Sequence, residues 1–146
     1  MVRFPPLAVF GGAFRKLPCM LPPGPPLLVT DRRLRAPIDA FVRAFPDARV
    51  FDGVVDEPTE EVVRSIQSAM RGASHVVALG GGSPIDAAKA ANALRVEGGG
   101  GGRGGTHLAA TPPRLHLTAV PTTSGTGAEV TPFVVVKVGD EKRLAS

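Results

Sequence analysis

The stretch HVVALGGGSPIDAAKA, residues 75–90, decides how this chain folds. Four apolar residues follow His75, a run typical of a buried strand. Three glycines end that run, and the alanine-rich remainder favours a helix from Pro84 to about Arg95. A strand that passes through a glycine turn into a helix is typical of a βαβ unit in a parallel sheet.

The turn at residues 80–86 has the composition of an anion site. Glycines lack a Cβ atom, so an anion can approach the backbone N–H groups closely. We predict that Ser83 is the N-cap, that Pro84 is the first helical residue, and that Asp86 completes a capping box with Ser83. The free N–H groups and the helix dipole would then suit a pyrophosphate. A ligand-free glycine turn is an equally good interpretation of these residues alone, because they form neither GxGxxG nor a P-loop.

Two further strand and helix pairs precede this turn. Residues 27–29 are a short apolar run, and the apolar residues from Ile38 to Phe45 recur at helical spacing. Residues 49–51 predict a second strand, and Thr59 is a suitable N-cap for a helix over residues 60–71. Residues 1–26 hold seven of the 15 prolines, so we expect them to be irregular or at a sheet edge.

After the glycine turn the pattern continues with strands. Residues 98–105 contain seven glycines and predict a flexible surface loop. Residues 115–120 predict a fourth strand, and residues 133–138 a fifth that turns into a hairpin at Gly139-Asp140. The alternation predicts an α/β fold with a doubly wound, mostly parallel sheet, flanking helices and a C-terminal hairpin. One domain would span residues 1–146, best defined over residues 26–146.

Composition excludes several other classes. The 146 residues are 43% hydrophobic with a mean hydropathy of +0.12, which is typical of one folded domain rather than of a disordered or fibrous chain. A single cysteine, Cys19, cannot form an internal disulfide. The net charge of +4 comes from scattered basic residues without a basic and aromatic ladder, so we expect no nucleic acid partner. Apolar runs are too short for a bilayer span or a secretory signal, and we expect a cytoplasmic protein with no membrane partner.

A second informative stretch is PTTSGTGAEVTPF, residues 121–133, which follows the fourth predicted strand. Its hydroxyl groups both donate and accept hydrogen bonds, so such a loop can contact a ribose or a phosphate. A plain threonine-rich turn is the alternative from composition alone. The two stretches together, about 40 residues apart, resemble the cofactor-binding motifs of the iron-containing (group III) alcohol dehydrogenase family. Shorter stretches at residues 10–13, 28–31 and 57–59 fit the family's pattern in the expected order.

The resemblance implies a Rossmann-like cofactor domain that binds a nicotinamide dinucleotide. It implies that the pyrophosphate is held or ordered by Gly81, Gly82, Ser83 and Asp86. It implies that the adenosine and phosphate portions contact Thr122, Thr123, Thr126 and Thr131. Asp31 matches the position that binds the adenine ribose, where a carboxylate favours NAD over NADP, although Arg32 and Arg33 follow directly and would reduce its repulsion of a 2′-phosphate. A solvated loop acid or a helix cap is the alternative for Asp31. Lys142 resembles a family lysine near the nicotinamide ribose, with a spacing to Leu144 that differs by one residue.

The resemblance also implies parts that this sequence does not contain. The family's iron or other divalent metal is held by one Asp and three His of a helical domain beyond the second motif, and no histidine follows Thr131. We therefore predict no metal ligands and no catalytic residues, and a truncated or split chain that is catalytically incomplete alone. A separate helical metal-binding domain or a second copy of the chain would be its partner. A stand-alone nucleotide-binding or regulatory module and an inert remnant are the alternatives.

Overall fold

The structure, a computed structural model, describes residues 13–97 and 107–145. Its helices are a 3-10 turn (Ala13–Lys16), α1 (Leu17–Met20), α2 (Arg35–Ala44), α3 (Glu60–Ala69) and α4 (Gly82–Ala93). Its strands are β1 (Pro26–Thr30), β2 (Arg49–Phe51), β3 (His75–Gly80), β4 (Leu94–Glu97), β5 (His107–Ala110), β6 (His116–Pro121), β7 (Val134–Val138) and β8 (Glu141–Ala145).

A four-stranded parallel sheet lies at the centre, with the strand order β2-β1-β3-β6. The two central strands, β1 and β3, are buried along their whole length, which explains why both are nearly continuous apolar runs in the sequence. Their register pairs Leu27 with Val76 and Thr30 with Leu79. The predicted α/β fold with a mostly parallel sheet is confirmed.

Alternate side chains of the central strands enter two separate cores. Leu27, Val76 and Ala78 face the core formed with α3 and α4. Leu28 and Val77 face the opposite core, which α2 and the N-terminal helical turn cover. Because successive residues of a strand point to opposite faces, the sheet is covered by helices on both sides, as a doubly wound arrangement requires.

Two antiparallel hairpins complete the described chain. Strands β7 and β8 form the hairpin predicted at Gly139-Asp140. The backbone N–H of Lys137 donates to the carbonyl of Pro58 at 2.8 Å, which attaches this hairpin beside the start of α3. Strands β4 and β5 form a second hairpin that the sequence analysis did not predict. The glycine loop predicted at residues 98–105 lies outside the described residues.

Several predictions about the helices and strands were wrong. Residues 13–20 are helical rather than irregular, and Pro26 opens an interior strand, a position where proline needs no ladder donor. Helix α4 begins at Gly82, two residues earlier than predicted. It also ends two residues earlier, at Ala93, because the chain from Leu94 pairs with β5 instead. The predicted N-cap of α3 is confirmed, since the Thr59 side chain accepts from the N–H of Val62.

In the part of the chain that the structure describes, no helix has the length and apolar character needed to cross a membrane.

His75 is a buried titratable group at the start of β3. Its side chain is fully buried and lies opposite His116 of β6. Nδ1 lies 2.9 Å from the hydroxyl of Ser74. Burial lowers the pKa of His75, and the neighbouring His116 lowers it further. The imidazole is therefore neutral in the folded protein under conditions where an exposed histidine would take up a proton.

We predict that His75 makes folding sensitive to mild acid. Its folded pKa lies below the value of about 6.5 in an unfolded chain, so the unfolded state binds more protons as the pH falls through that range. The free energy of unfolding should decrease between pH 7.5 and pH 5.5, measured by urea denaturation. In His75→Phe this decrease should become smaller, whereas His116→Phe should keep most of it. An unchanged pH dependence in His75→Phe would contradict the assignment.

Candidate functional site

Three loops meet at the carboxyl edge of the parallel sheet. They follow β1, β3 and β6, and they carry Asp31, the glycine turn and the threonine-rich stretch respectively. Gly80 and Pro121 are paired in the sheet register, so the loops after β3 and β6 leave the sheet side by side. The N–H of Thr122 donates to the carbonyl of Gly80 at 2.8 Å and ties the two loops together where they begin. This is the edge at which open α/β sheets bind their ligands.

Hydrogen bonds at the end of β1 bring two more segments to this edge. The buried hydroxyl of Thr30 donates to the carbonyl of Leu79 at 2.8 Å, which fixes the end of β1 against the end of β3. The N–H of Val54 donates to the carbonyl of Thr30 at 3.3 Å, which brings the segment after β2 alongside. The candidate site is therefore built on the rigid centre of the sheet.

The glycine turn starts α4 in a different way from the prediction. Gly81 is the N-cap, Pro84 is the third helical residue, and the cap has no side-chain hydrogen bond. The predicted Ser83–Asp86 capping box is therefore wrong. Because Gly80 has a φ of +149°, which side-chain-bearing residues rarely adopt, the chain enters the helix earlier than the serine and proline signals indicate. A Cβ on Gly80 would also lie 2.7 Å from Cγ of Pro84.

This start leaves backbone donors at the carboxyl edge of the sheet. The first residues of an α-helix have N–H groups without an intrahelical acceptor, and in α4 these belong to Gly82 and Ser83. The 12-residue helix adds the positive end of its dipole at the same place. Together these groups can bind one or two phosphate oxygens.

The two motif loops pack against each other closely enough to form one wall. A Cβ built on Gly81 would lie 3.1 Å from Oγ1 of Thr123, and one on Gly82 would lie 3.5 Å from Cβ of Thr126. The first distance is tighter than ordinary van der Waals contact, whereas the second is ordinary. The glycines therefore bring the threonine hydroxyls next to the helix start.

Asp86 and Lys89 hold the second loop onto α4. Nζ of Lys89 donates to the carbonyls of Ala128 at 2.9 Å and Phe133 at 2.5 Å, and lies 3.3 Å from Oδ1 of Asp86. The other Asp86 oxygen accepts from the N–H of Val135 at 3.2 Å. Burial lowers the pKa of the Lys89 ammonium, and the adjacent Asp86 carboxylate opposes that shift. Asp86 thus orders the chain around the site through Lys89 and β7 rather than by capping α4.

A cleft of about 350 Å³ opens between these loops. It is lined by Asp31, Arg33, Leu34, Val54, Val55, Gly81, Gly82, Ser83, Pro84, Thr122 and Thr123. The cleft therefore combines a carboxylate, a cation, helix N-terminal donors, hydroxyl groups and an apolar wall. A dinucleotide offers a diol, phosphates and a flat apolar base, and each of these finds a matching surface here.

Six predicted residues line the cleft, and the remaining four lie elsewhere. Those in the lining are Asp31, Gly81, Gly82, Ser83, Thr122 and Thr123. Thr126 lies beside Gly82 at the cleft margin, and Asp86 lies behind the wall. Thr131 is exposed near the end of the threonine-rich stretch and does not line the cleft. Lys142 lies on β8, where Nζ is 2.6 Å from Oε1 of Glu57, and its contact with a cofactor stays a prediction.

Asp31 is paired with Arg33 at the mouth of the cleft. Nε of Arg33 lies 3.0 Å and 2.7 Å from the two carboxylate oxygens, and Nη2 also donates to Oδ2 and to the carbonyl of Val55. The backbone N–H of Arg33 donates to Oδ1 at 2.9 Å. The hydrogen-bonded guanidinium holds the pKa of the Asp31 carboxyl below its usual value. The carboxylate is therefore ionised and charge-compensated near neutral pH.

Sequence reasoning missed the apolar wall, and it named Arg32 and Arg33 together without separating the one that pairs with Asp31. Val54 and Val55 follow β2, whose carboxyl end lies at the same edge of the sheet as those of β1 and β3. That position in a parallel sheet was the available signal for them. No pattern in the sequence indicated that Arg33, rather than Arg32, turns back onto Asp31.

A second cavity of about 290 Å³ lies along α4, and Lys89 of the helix and Pro132 of the second motif are among its lining residues. Its walls are mainly apolar, with Leu94, Leu115, Leu117 and Val134 among them. The side chain of its one amide residue, Asn92, already bonds the backbone of Arg114 and Leu115. This cavity lacks the convergent donors that a charged cofactor requires.

The described residues offer no metal site. Within residues 13–97 and 107–145, no group of three or more His, Cys, Asp or Glu side chains is arranged to hold a metal ion.

Comparison with known proteins agrees with this geometry. The family model described as "Iron-containing alcohol dehydrogenase" matches residues 5–145, almost the whole chain. The chain belongs to the iron-containing alcohol dehydrogenase family. Among curated proteins, it is 38% identical over 136 residues to the 4-hydroxybutyrate dehydrogenase of Cupriavidus necator. It is 36% identical over 136 residues to the lactaldehyde reductase of Escherichia coli K12.

Solved structures of the family share the fold. The iron-containing alcohol dehydrogenase of Thermococcus thioreducens has a TM-score of 0.67 at 25% identity and covers 91% of this chain. The alcohol dehydrogenase of Oenococcus oeni has a TM-score of 0.71 at 22% identity and covers 97%. A sulfoacetaldehyde reductase from Bifidobacterium kashiwanohense, solved in complex with NAD+, has a TM-score of 0.68 at 24% identity and covers 91%.

This chain corresponds to only part of these family members. It covers 34% of the Cupriavidus enzyme, 33% of the Escherichia enzyme and 39% of the Thermococcus structure, while 80% or more of its own length is matched in each case. It thus spans about a third of the length of the curated relatives.

We predict that Lys89 stabilises the fold by holding the second loop. Lys89→Met keeps the apolar stem but leaves the Asp86 carboxylate and two carbonyls without their cationic donor. The free energy of unfolding should decrease by about 1.5–3 kcal/mol, measured by urea denaturation. Lys142→Met removes an exposed ion pair and should change it by no more than about 0.5 kcal/mol. Equal losses in the two variants would contradict this role of Lys89.

Proposed function

We propose that this chain is the dinucleotide-binding part of an iron-containing alcohol dehydrogenase and that it binds NAD in the cleft at the carboxyl edge of the sheet. The observation that carries the proposal is the convergence of Asp31, the N-terminus of α4 and the threonine-rich loop on one cleft. Each supplies a different chemistry, and a dinucleotide requires all three in that proximity.

The helix start is assigned to the pyrophosphate. The N–H groups of Gly82 and Ser83 and the dipole of α4 would stabilise the two negative charges. The absence of Cβ atoms at Gly81 and Gly82 would let the phosphate oxygens approach the backbone. Thr122, Thr123 and Thr126 would contact the phosphate and adenosine portions through their hydroxyl groups.

The mouth of the cleft is assigned to the adenosine ribose. Asp31 would accept a hydrogen bond from a ribose 2′-hydroxyl, and its negative charge would disfavour a 2′-phosphate. We therefore infer that NAD binds more tightly than NADP. Val54, Val55 and Leu34 would provide apolar contact for the adenine base.

The reaction of the complete protein would be hydride transfer between an alcohol or aldehyde and the nicotinamide. The nicotinamide carries the hydride when it is bound, whereas this chain's residues bind and orient the dinucleotide. Since no described residue is placed as a catalytic group, the chain would act as one part of that enzyme.

We predict that Gly82→Ala separates binding from folding. The added Cβ has ordinary contact with Thr126 at 3.5 Å, and Gly82 is helical, so the free energy of unfolding without ligand should stay the same or rise by about 0.4–1 kcal/mol. The methyl group would occupy the space of the phosphate oxygens. The affinity for NAD, measured by isothermal titration calorimetry, should therefore fall by about tenfold or more.

The same titration distinguishes the alternatives. Saturable heat with NAD in the unmodified chain and its loss in Gly82→Ala support the proposal. No heat at millimolar NAD in a chain with a cooperative unfolding transition would contradict it and favour an inert remnant. Undiminished affinity in Gly82→Ala would place the nucleotide elsewhere.

A further inference from the structure

The contacts of Arg33 lead to an inference about cofactor discrimination that rests on the proposed function. Arg33 donates hydrogen bonds to the Asp31 carboxylate from its backbone N–H, its Nε and its Nη2. A carboxylate accepts about four hydrogen bonds, so this residue alone uses nearly all of that capacity. A ribose hydroxyl that reaches Asp31 must therefore displace at least one bond from Arg33.

The Arg33 side chain is placed so that it can move. Its side chain is 65% exposed, whereas that of Asp31 is 13% exposed. Within the described residues, the guanidinium is hydrogen-bonded to Asp31 and to the carbonyl of Val55, both at the rim of the same cleft. Displacement from the carboxylate would leave a planar fork of N–H donors beside the position assigned to the ribose 2′ substituent.

The charges around this position are nearly balanced. Asp31 is negative and faces Arg33 at hydrogen-bond distance, with Arg32 contributing a second positive charge. Asp56 is the other acidic group that acts on Arg33. A 2′-phosphate entering this rim meets a compensated carboxylate and not an isolated one, so the repulsion expected from Asp31 alone is reduced.

We propose that Arg33 is the residue that sets cofactor specificity in this chain, by pairing with Asp31 when NAD is bound and with the 2′-phosphate when NADP is bound. A guanidinium binds phosphate oxygens through two parallel hydrogen bonds, and this arrangement offsets the cost of giving up Asp31. The difference in affinity between NAD and NADP is then small, and the chain binds both dinucleotides.

The test is the ratio of the dissociation constants for NADP and NAD, measured by isothermal titration calorimetry on the unmodified chain and four variants. The unmodified ratio should be below about tenfold. In Arg33→Gln it should rise by about tenfold or more, because NADP loses its partner and Asp31 is left uncompensated. In Asp31→Ala it should move the other way, because NAD loses its acceptor and Arg33 is released.

Arg43→Gln is the matched control. It makes the same charge change in the last turn of α2, about 12 Å along the helix from its first residue, Arg35, whereas Arg33 lies just before that first residue. It should leave the ratio unchanged. An unchanged ratio in Arg33→Gln would overturn the assignment, as would an equal change in Arg43→Gln. A loss of NADP binding in Arg32→Gln but not in Arg33→Gln would also overturn it. A failure of the proposed function looks different, because neither dinucleotide would then bind the unmodified chain.

Discussion

The burial of helix α4 against the sheet is the contact on which the rest of this structure depends. Five of its residues are completely buried: Ile85, Ala87, Ala88, Ala90 and Ala91. Small side chains let the helix approach β1 and β3 closely, and a larger residue at one of these alanines would force the layers apart, typically at a cost of about 1–3 kcal/mol. Because the helix is held along its length, its N-terminus is fixed at the carboxyl edge of the sheet. The backbone N–H donors of the candidate site are therefore held in fixed positions.

The same helix also positions the second motif. Lys89 lies almost two turns beyond the helix start and reaches the carbonyls of Ala128 and Phe133, which bracket the end of the threonine-rich loop. At the other end of that loop, Thr122 is bonded to Gly80. The loop is therefore anchored at both ends to the strand and helix that carry the glycine turn. One strand–turn–helix unit thus orients both loops, which is why the two motifs form one wall of the cleft.

The sequence predicted much of this arrangement, and its failures have local physical causes. Continuous apolar runs identified β1 and β3 because both strands are buried on both faces. The Thr59 cap was predicted because a hydroxyl at that position satisfies a helix N–H directly. The start of α4 was predicted wrongly because Ser83 and Pro84 are strong helix-start signals, yet Gly80 adopts a backbone angle that lets the chain turn two residues earlier.

Other features depend on contacts between distant segments, which local patterns do not encode. The pairing of Leu94 with Ala110 ends α4 and forms a hairpin across the glycine-rich stretch. The apolar wall at Val54 and Val55 comes from the parallel order of β2 and β1. Glu57 lies 85 residues before Lys142 in the sequence, and their ion pair places that lysine away from the cleft lining. Composition and spacing give no measure of such pairings.

We propose that the start of α4 and the loop after β6 form one dinucleotide site. Backbone amide chemical shifts of the isotope-labelled chain, followed by NMR during titration with NAD, test it most directly, because they report on the N–H groups assigned to the phosphates. We expect saturable changes in the amide chemical shifts that are largest at Gly82, Ser83 and Thr123, with smaller changes at Arg33. Saturable shifts confined to the apolar cavity around Leu94 and Leu115, with the amides of the glycine turn unmoved, would contradict it.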